Sequence, residues 1–205
     1  MLGGVGECFS QVDAKADRII KDAQSKINGL LDLTMNFKLS LSNRADSKDK
    51  PMVKQGIIKI KKNKYKADFG EQSLVSDGAT VWNYLKKEKE VNVSSYDSLD
   101  GLSMENMFKL YKKDMKVRYD NVEVVGGKSV DKITLFPNDK KQEYFKVEVW
   151  IDGKLKLPVQ MKVWGRNGSV SVYELSNHKE NSNLGDSEFN FNVADYPGIQ
   201  VIDLR

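Results

Sequence analysis

One stretch near the middle of the chain reads Leu74-Val75-Ser76-Asp77-Gly78-Ala79-Thr80-Val81-Trp82-Asn83-Tyr84, with an Asp-Gly pair between two apolar segments. Asp-Gly adopts the positive φ angles that a tight turn between antiparallel strands requires. The stretch therefore predicts a β-hairpin with its turn at Ser76-Asp77-Gly78. Asp77 is accordingly interpreted as a turn residue.

The segments before this hairpin alternate between apolar and polar residues, which is typical of strands with one face in water. Their apolar positions are Met35, Phe37, Leu39 and Leu41; Ile58 and Ile60; and Tyr65, Ala67 and Phe69. We therefore predict strands over residues 33–42, 54–61 and 64–69. The charged stretch from Asn43 to Pro51 is predicted to be a loop.

The chain after the hairpin contains further strand-like segments separated by Gly, Pro, Asn or Asp, which favour turns. These predicted strands cover residues 116–125, 130–136, 143–151, 159–164, 170–175, 189–191 and 199–202. Gly126-Gly127, Asn138-Asp139 and Asp152-Gly153 are predicted turns between them. Because no strand–helix–strand alternation is present, the pattern indicates an antiparallel sheet rather than a parallel one.

Two segments have helical spacing. In the first, from Asp13 to Leu31, apolar residues recur every three or four positions and Asp13 is placed to cap the first turn. The second opens at Ser103 and clusters Met104, Met107, Phe108, Leu110 and Tyr111 on one side. Unbranched methionines suit a lid that repacks around flexible ligands, although a helix facing the core would show the same spacing. We predict a mainly β (α+β) fold, in which two amphipathic helices cover the concave face of a strongly curved antiparallel sheet.

Composition limits the classes of function. With 205 residues, 40% hydrophobic and 30% charged, the chain is predicted to form one folded domain over residues 12–205, preceded by a remnant or disordered segment, residues 1–11. The net charge of +4 gives little support for nucleic-acid binding. No segment approaches the roughly 20 apolar residues of a membrane-spanning helix, so no stable membrane insertion is expected.

The sequence offers little for catalysis or metal binding. Cys8 and His178 are the only residues of their types, and His178 is predicted to lie in a solvated polar loop. Gly126-Gly127-Lys128-Ser129 lacks the glycine spacing of a phosphate-binding loop and precedes a strand rather than a helix, so it is interpreted as a turn. We expect no enzymatic activity, no cofactor and no metal.

Several motifs resemble the LolA family of outer-membrane lipoprotein carriers. The turn Ser76-Asp77-Gly78 with Trp82 and Tyr84 resembles that family's hairpin. The other matching motifs follow in the family's order: Asn36-Phe37 after the first helix, the strand Gly56–Ile60, the helix Met104–Tyr111, and Phe189-x-Phe191 with Pro197-Gly198 and Val201. The resemblance implies an unclosed β-barrel with helices as a lid over a hydrophobic cavity.

The resemblance also implies a function. A periplasmic carrier would take acylated lipoproteins from an inner-membrane release complex to an outer-membrane acceptor, and we expect a monomer. The implied cavity and lid residues are Phe37, Leu39, Ile58, Ile60, Tyr65, Met104, Met107, Phe108 and Tyr111. The alternative is a module on the same scaffold that senses lipid or docks a partner protein.

The family's Arg-Pro after the Gly56–Ile60 strand is replaced here by Lys62-Asn63. The family arginine helps to hold the lid closed, so Lys62 is the corresponding candidate. Lysine lacks the planar, multi-donor guanidinium group, and a closed state held by Lys62 should therefore be weaker. A solvated basic residue within Lys61-Lys62-Asn63-Lys64 is the other interpretation.

Overall fold

The computed structural model describes residues 13–44, 49–96 and 115–205. These residues form one α-helix, α1 (Ala14–Gly29), and a single sheet of twelve strands. The strands are β1 (Leu33–Ser42), β2 (Met52–Lys61), β3 (Lys64–Asp68), β4 (Gln72–Ser76), β5 (Thr80–Leu85), β6 (Glu90–Ser95), β7 (Met115–Val125), β8 (Lys128–Pro137), β9 (Tyr144–Asp152), β10 (Pro158–Gly165), β11 (Val170–Glu180) and β12 (Gln200–Asp203). The predicted second helix and residues 1–11 lie outside the described residues.

The sheet is an unclosed barrel with the strand order β12-β6-β5-β4-β3-β2-β1-β11-β10-β9-β8-β7. Neighbouring strands are antiparallel, as the sequence predicts, except that β12 runs parallel to β6. After β11 the chain crosses one face of the sheet and adds β12 at the sheet edge beside β6. The predicted mainly β, curved and unclosed fold is confirmed.

Helix α1 covers one half of the sheet. The carboxylate of Asp13 accepts hydrogen bonds from the amides of Lys15 and Ala16, both at 3.1 Å, which confirms the predicted cap. The buried helical residues Ala16, Ile19, Ile20 and Ala23 pack against strands β7 to β11. We call the sheet face that α1 covers the inner face and the opposite face the outer face. No described helix is long and apolar enough to cross a membrane.

The predicted hairpin is present and joins β4 to β5. Gly78 has a φ of +92°, and the Asp77 carboxylate accepts hydrogen bonds from the amides of Ala79 and Thr80, both at 2.8 Å. The turn chemistry assigned to Asp77 is therefore confirmed. Gly126 and Gly127 also have positive φ and turn β7 into β8, so the Gly-Gly-Lys-Ser sequence is a hairpin turn.

The predicted strand at residues 189–191 is wrong. Residues 181–199, which we call the C-terminal strap, cross the outer face without pairing in the sheet, and Asp186–Phe189 form a 3₁₀ turn. Phe189 is fully buried, and Phe191 stacks on Tyr196 with the ring centroids 4.6 Å apart. The alternation of two phenylalanines here reflects rings packed onto a sheet face rather than strand pairing.

Candidate functional site

The inner face of β1, β2 and β3 brings together five of the predicted cavity residues. Phe37, Ile58 and Tyr65 are buried there, and Leu39 and Ile60 are half-buried against the same apolar cluster. Strand register explains the grouping, because Ile60 lies opposite both Leu33 and Tyr65. The other four predicted residues, Met104, Met107, Phe108 and Tyr111, lie outside the described residues. The ligand-binding role of all nine stays a prediction.

The cluster is larger than the sequence indicates. Its other buried members are Leu33, Met35, Ala67, Val81, Leu157 and Leu175, and its half-buried members include Ile27, Leu30, Phe69, Leu74, Tyr96 and Leu155. Leu157 and Leu175 were missed because they come from distant parts of the chain, Leu157 from the residue before β10 and Leu175 from β11. Only the pairing of β1 with β11, which places Leu175 opposite Phe37, brings that region to the site.

Gly56 allows the chain to bend closely over this inner face. A Cβ atom at Gly56 would overlap the backbone carbonyl oxygen of Asp68 and lie 3.2 Å from Cε1 of Phe37. The bend brings Phe69 edge-on to Phe37, with the ring centroids 4.8 Å apart and the rings inclined at 81°. Glycine is therefore required at position 56 to pack the end of β3 against the apolar cluster.

The cluster holds its tyrosine in the neutral form. Burial raises the pKa of Tyr65 to about 12, because the phenolate would lose hydration in this apolar environment. The ring of Tyr96 lies nearby, with the two centroids 6.5 Å apart. A buried face that stays uncharged around Tyr65 suits contact with hydrocarbon rather than with an anion.

Lys62 lies in the exposed two-residue turn between β2 and β3, with a φ of +55°. Its neighbours Lys61 and Lys64 bind the carboxylate of Asp186 on the C-terminal strap, at 2.9 and 3.1 Å. The Lys62 side chain makes no hydrogen bond or ion pair with another described residue, and the predicted second helix, which it would latch, lies outside the described residues. This environment fits a solvated turn residue, and the lid-closing role stays a prediction.

His178 is not in a solvated loop, so that prediction is wrong. It lies within β11, half-buried, with Nε2 3.2 Å from the carbonyl oxygen of Pro158, while Nδ1 is buried without a hydrogen-bond partner. Burial lowers the pKa of His178, because the imidazolium would lose hydration there. The sequence around His178 is polar because most side chains at this end of β11 are exposed, so it shows no apolar alternation that would predict a strand.

The buried carboxylates of the described chain stabilise loops. Asp32 accepts hydrogen bonds from the amides of Ser182 and Leu184, at 2.7 and 2.9 Å, and so anchors the start of the C-terminal strap. Asp152 accepts from the amides of Lys154 and Leu155, at 2.8 and 3.0 Å. Across residues 13–44, 49–96 and 115–205, no group of three or more His, Cys, Asp or Glu side chains could hold a metal ion.

Comparison with known proteins supports the fold and the family. The family model described as outer membrane lipoprotein carrier protein LolA matches residues 42–192, which is more than half of the chain. No curated protein sequence matches the chain.

Two solved structures share the fold at low sequence identity. An uncharacterised conserved protein from Thermus thermophilus is 12% identical with a TM-score of 0.62, and the match covers 92% of this chain and 99% of that one. Lipoprotein LppX from Mycobacterium tuberculosis is 13% identical with a TM-score of 0.53, and the match covers 84% of this chain and 98% of that one. The likeness extends over nearly the whole length of both structures.

Proposed function

Because this chain belongs to the LolA family of outer membrane lipoprotein carrier proteins, we propose that it binds the acyl chains of lipoproteins and carries them through the periplasm. The supporting observation is the convergence of Phe37, Leu39, Ile58, Ile60 and Tyr65 on one apolar inner-face cluster. In this proposal the acyl chains lie against that face. The protein takes them from an inner-membrane release complex and gives them to an outer-membrane acceptor.

The free energy of such binding comes from shielding hydrocarbon from water. Each buried CH₂ group contributes about 0.8 kcal/mol, so one long acyl chain contributes on the order of 10 kcal/mol before ordering costs. Release is consequently the harder step for a carrier. Met104, Met107, Phe108 and Tyr111 are proposed to form a lid that competes with the acyl chain for the apolar face and so weakens net affinity.

The proposed carrier is residues 12–205, and residues 1–11 are proposed to be dispensable. The single sheet supports this division because its strands run from Leu33 to Asp203 without a break in pairing order. No step in carriage makes or breaks a covalent bond, so the proposal requires no catalytic residue, cofactor or metal. Deletion of residues 1–11 should leave lipid binding unchanged within about twofold.

Two measurements on the purified full chain test the carrier role. Organic extracts are analysed by mass spectrometry for co-purified acyl lipids, and a triacylated lipoprotein is offered in membranes with and without the protein. We expect acyl lipid in the extract and a soluble complex with the lipoprotein that passes it to acceptor vesicles. Failure to extract the lipoprotein from membranes, with no acyl lipid in the purified protein, contradicts the proposal.

A charged substitution on the proposed lid distinguishes carriage from the alternative of lipid sensing or partner docking. Phe108→Asp should abolish lipoprotein transfer if the residue contacts the acyl chains, because the carboxylate cannot be buried beside hydrocarbon. Ser103→Asp, close by in sequence and already polar, is the matched control and should transfer normally. A protein that binds lipid but never transfers it, with or without these changes, would instead be a sensor or docking module.

A further inference from the structure

A groove on the outer face lies on the opposite side of the sheet from the proposed acyl site. Its floor crosses strands β2, β1, β11 and β10, and the β7–β8 turn forms one wall. It has a volume of about 700 Å³, within the range of small-ligand sites. The polar lining side chains are Asn36, Lys38, Gln55, Lys128, Gln160, Glu174 and Ser176.

Four of these side chains have hydrogen-bonding groups that the protein does not use. Asn36, Gln55, Gln160 and Ser176 all line the groove, and their side chains make no hydrogen bond to any other described residue. By contrast, Nε1 of Trp164, elsewhere on the outer face, donates to the carboxylate of Glu148 at 2.7 Å. The groove therefore presents three carboxamides and a hydroxyl to whatever occupies it, each able to donate and accept.

The charged groups of the groove are compensated within the protein. Lys38 and Glu174 lie opposite each other on β1 and β11 and form an ion pair of 2.7 Å at the floor. Lys128 on the wall lies 3.6 Å from the carboxylate of Asp152. The compensated charges leave no excess charge to attract a phosphate, a carboxylate or a cation. A ligand complementary to this surface is polar and neutral.

The position of the groove disfavours an extended peptide. Strands β2, β1, β11 and β10 are interior strands, each paired on both sides, so their backbone groups are already used in the sheet. A peptide that adds a strand needs an unpaired sheet edge, which this floor does not provide. Recognition here must come from side chains, spaced about 4.8 Å apart from strand to strand.

Apolar side chains complete the surface. Ile57 is 49% exposed beside the carboxamides, and Val125 and Val159 line the groove near the β7–β8 turn. A pyranose ring has hydroxyl groups around its edge and an apolar face of C–H bonds, and its length is close to the strand spacing. From this match we propose that the groove binds a short neutral oligosaccharide. The amides of Asn36, Gln55 and Gln160 bond its hydroxyls, and Ile57 packs against a ring face.

This proposal is independent of acyl carriage, since the groove and the inner-face cluster lie on opposite sides of the sheet. The test is a titration of the ¹⁵N-labelled full chain with two neutral probes, tri-N-acetylchitotriose and cellotriose, followed through the side-chain amide resonances. We expect the resonances of Asn36, Gln55 and Gln160 to shift together with one millimolar-range affinity for at least one probe. Resonances of Asn121, an exposed residue outside the groove, should not move.

Matched variants establish whether the shifts report the groove. Asn36→Ala and Gln160→Ala should each weaken the bound trisaccharide about threefold to tenfold, the range for one lost hydrogen bond, whereas Asn121→Ala should not. All three should keep acyl binding unchanged, which separates this proposal from the carrier role. The inference is overturned if neither trisaccharide moves the groove resonances, or if a Ser-Asn-Gln peptide moves them more than either sugar does.

Discussion

The two halves of the inner face use the same alternation of apolar residues but are covered differently. Strands β7 to β11 bury Val117, Ile133 and Val149 beneath helix α1, which fits its own side chains into the concavity. Over β1 to β5, the described contacts come from the end of the helix, at Ile27 and Leu30, and from short loops. Within the described residues, one half is thus packed along the body of a helix, and the other contacts the end of that helix and turns.

The outer face shows the reverse arrangement. The C-terminal strap packs Phe191 and Tyr196 onto β4, β5 and β6, and the rings of Tyr84 and Tyr196 lie 4.8 Å apart. Lys59 binds Glu188 of the strap at 2.5 Å. The half of the sheet that the body of α1 does not cover is therefore braced from the outer face by the strap.

The largest effect on stability is expected from a substitution that leaves a cavity beneath helix α1. Ile20→Ala should lower the free energy of unfolding by about 2–5 kcal/mol, because Ile20 is 2% exposed and packed between α1 and the sheet. Urea denaturation followed by circular dichroism measures the change. Lys21→Ala, on the exposed side of the same helix, is the control and should change stability by less than about 0.5 kcal/mol. Equal losses in both variants would mean that the helix does not pack as described.

A smaller side chain on the inner face of β1 to β5 should mainly weaken acyl binding. Ile60→Ser should weaken acyl binding about tenfold or more, since about 1.5–3 kcal/mol of apolar burial by the ligand is lost, and should cost only about 1 kcal/mol of stability. Fluorescent fatty-acid titration reports the affinity. Ile57→Ser, three residues earlier on the same strand but on the outer face, should bind acyl chains normally. If the two variants bind equally, the inner face is not the acyl site.

The external brace should weaken in acid. Hydrogen bonds from Lys61 and Lys64 lower the pKa of Asp186 below 3.8, and one from Lys59 lowers the pKa of Glu188 below 4.5. Both carboxylates therefore stabilise the folded strap above these values, and the contribution is lost as the pH falls through the lowered pKa values. Limited proteolysis within residues 181–199 should accelerate below about pH 4.

A double variant isolates this acid effect. Asp186→Asn with Glu188→Gln should be cleaved faster than the wild type at neutral pH, with a weaker dependence on pH. A remaining acid dependence is expected from Asp13, whose pKa is lowered by its hydrogen bond from the Tyr119 amide, at 2.7 Å, on the helix side of the molecule. Unchanged acid sensitivity of the strap in the double variant would show that the lysine contacts do not brace it.

Local patterns predicted most of the elements because they report which side chains share a face. Alternation placed Phe37, Ile58 and Tyr65 on the buried faces of their strands, and they meet because β1, β2 and β3 follow one another along the chain and pair as neighbours. Their assignment to a cavity came from the family resemblance. The same logic could not find Leu175, because β11 is far from β1 in the sequence although the two strands pair in the sheet. Register between distant strands has no signal in a single sequence.

The strap was mispredicted for a related reason. Phe189 and Phe191 alternate as strand residues do, yet alternation alone cannot distinguish pairing within a sheet from packing onto it. Asp32 holds the strap through two backbone amides, and no local sequence pattern predicted that role. The feature that distinguishes the two halves of this molecule thus depends on contacts between residues about 150 positions apart.

The smallest expected effect concerns the turn at the edge of the braced half. Lys62 adopts a left-handed conformation that costs a non-glycine residue about 1 kcal/mol, so Lys62→Gly should raise the free energy of unfolding by up to that amount. Lys87→Gly, in another exposed turn without a positive φ, should give no such gain.

If Lys62 is only a turn residue, acyl release will keep its wild-type rate in Lys62→Gly and in Lys62→Arg. If Lys62 latches a lid, release will be faster in the glycine variant and slower in the arginine variant, because a guanidinium group can bond several carbonyls at once.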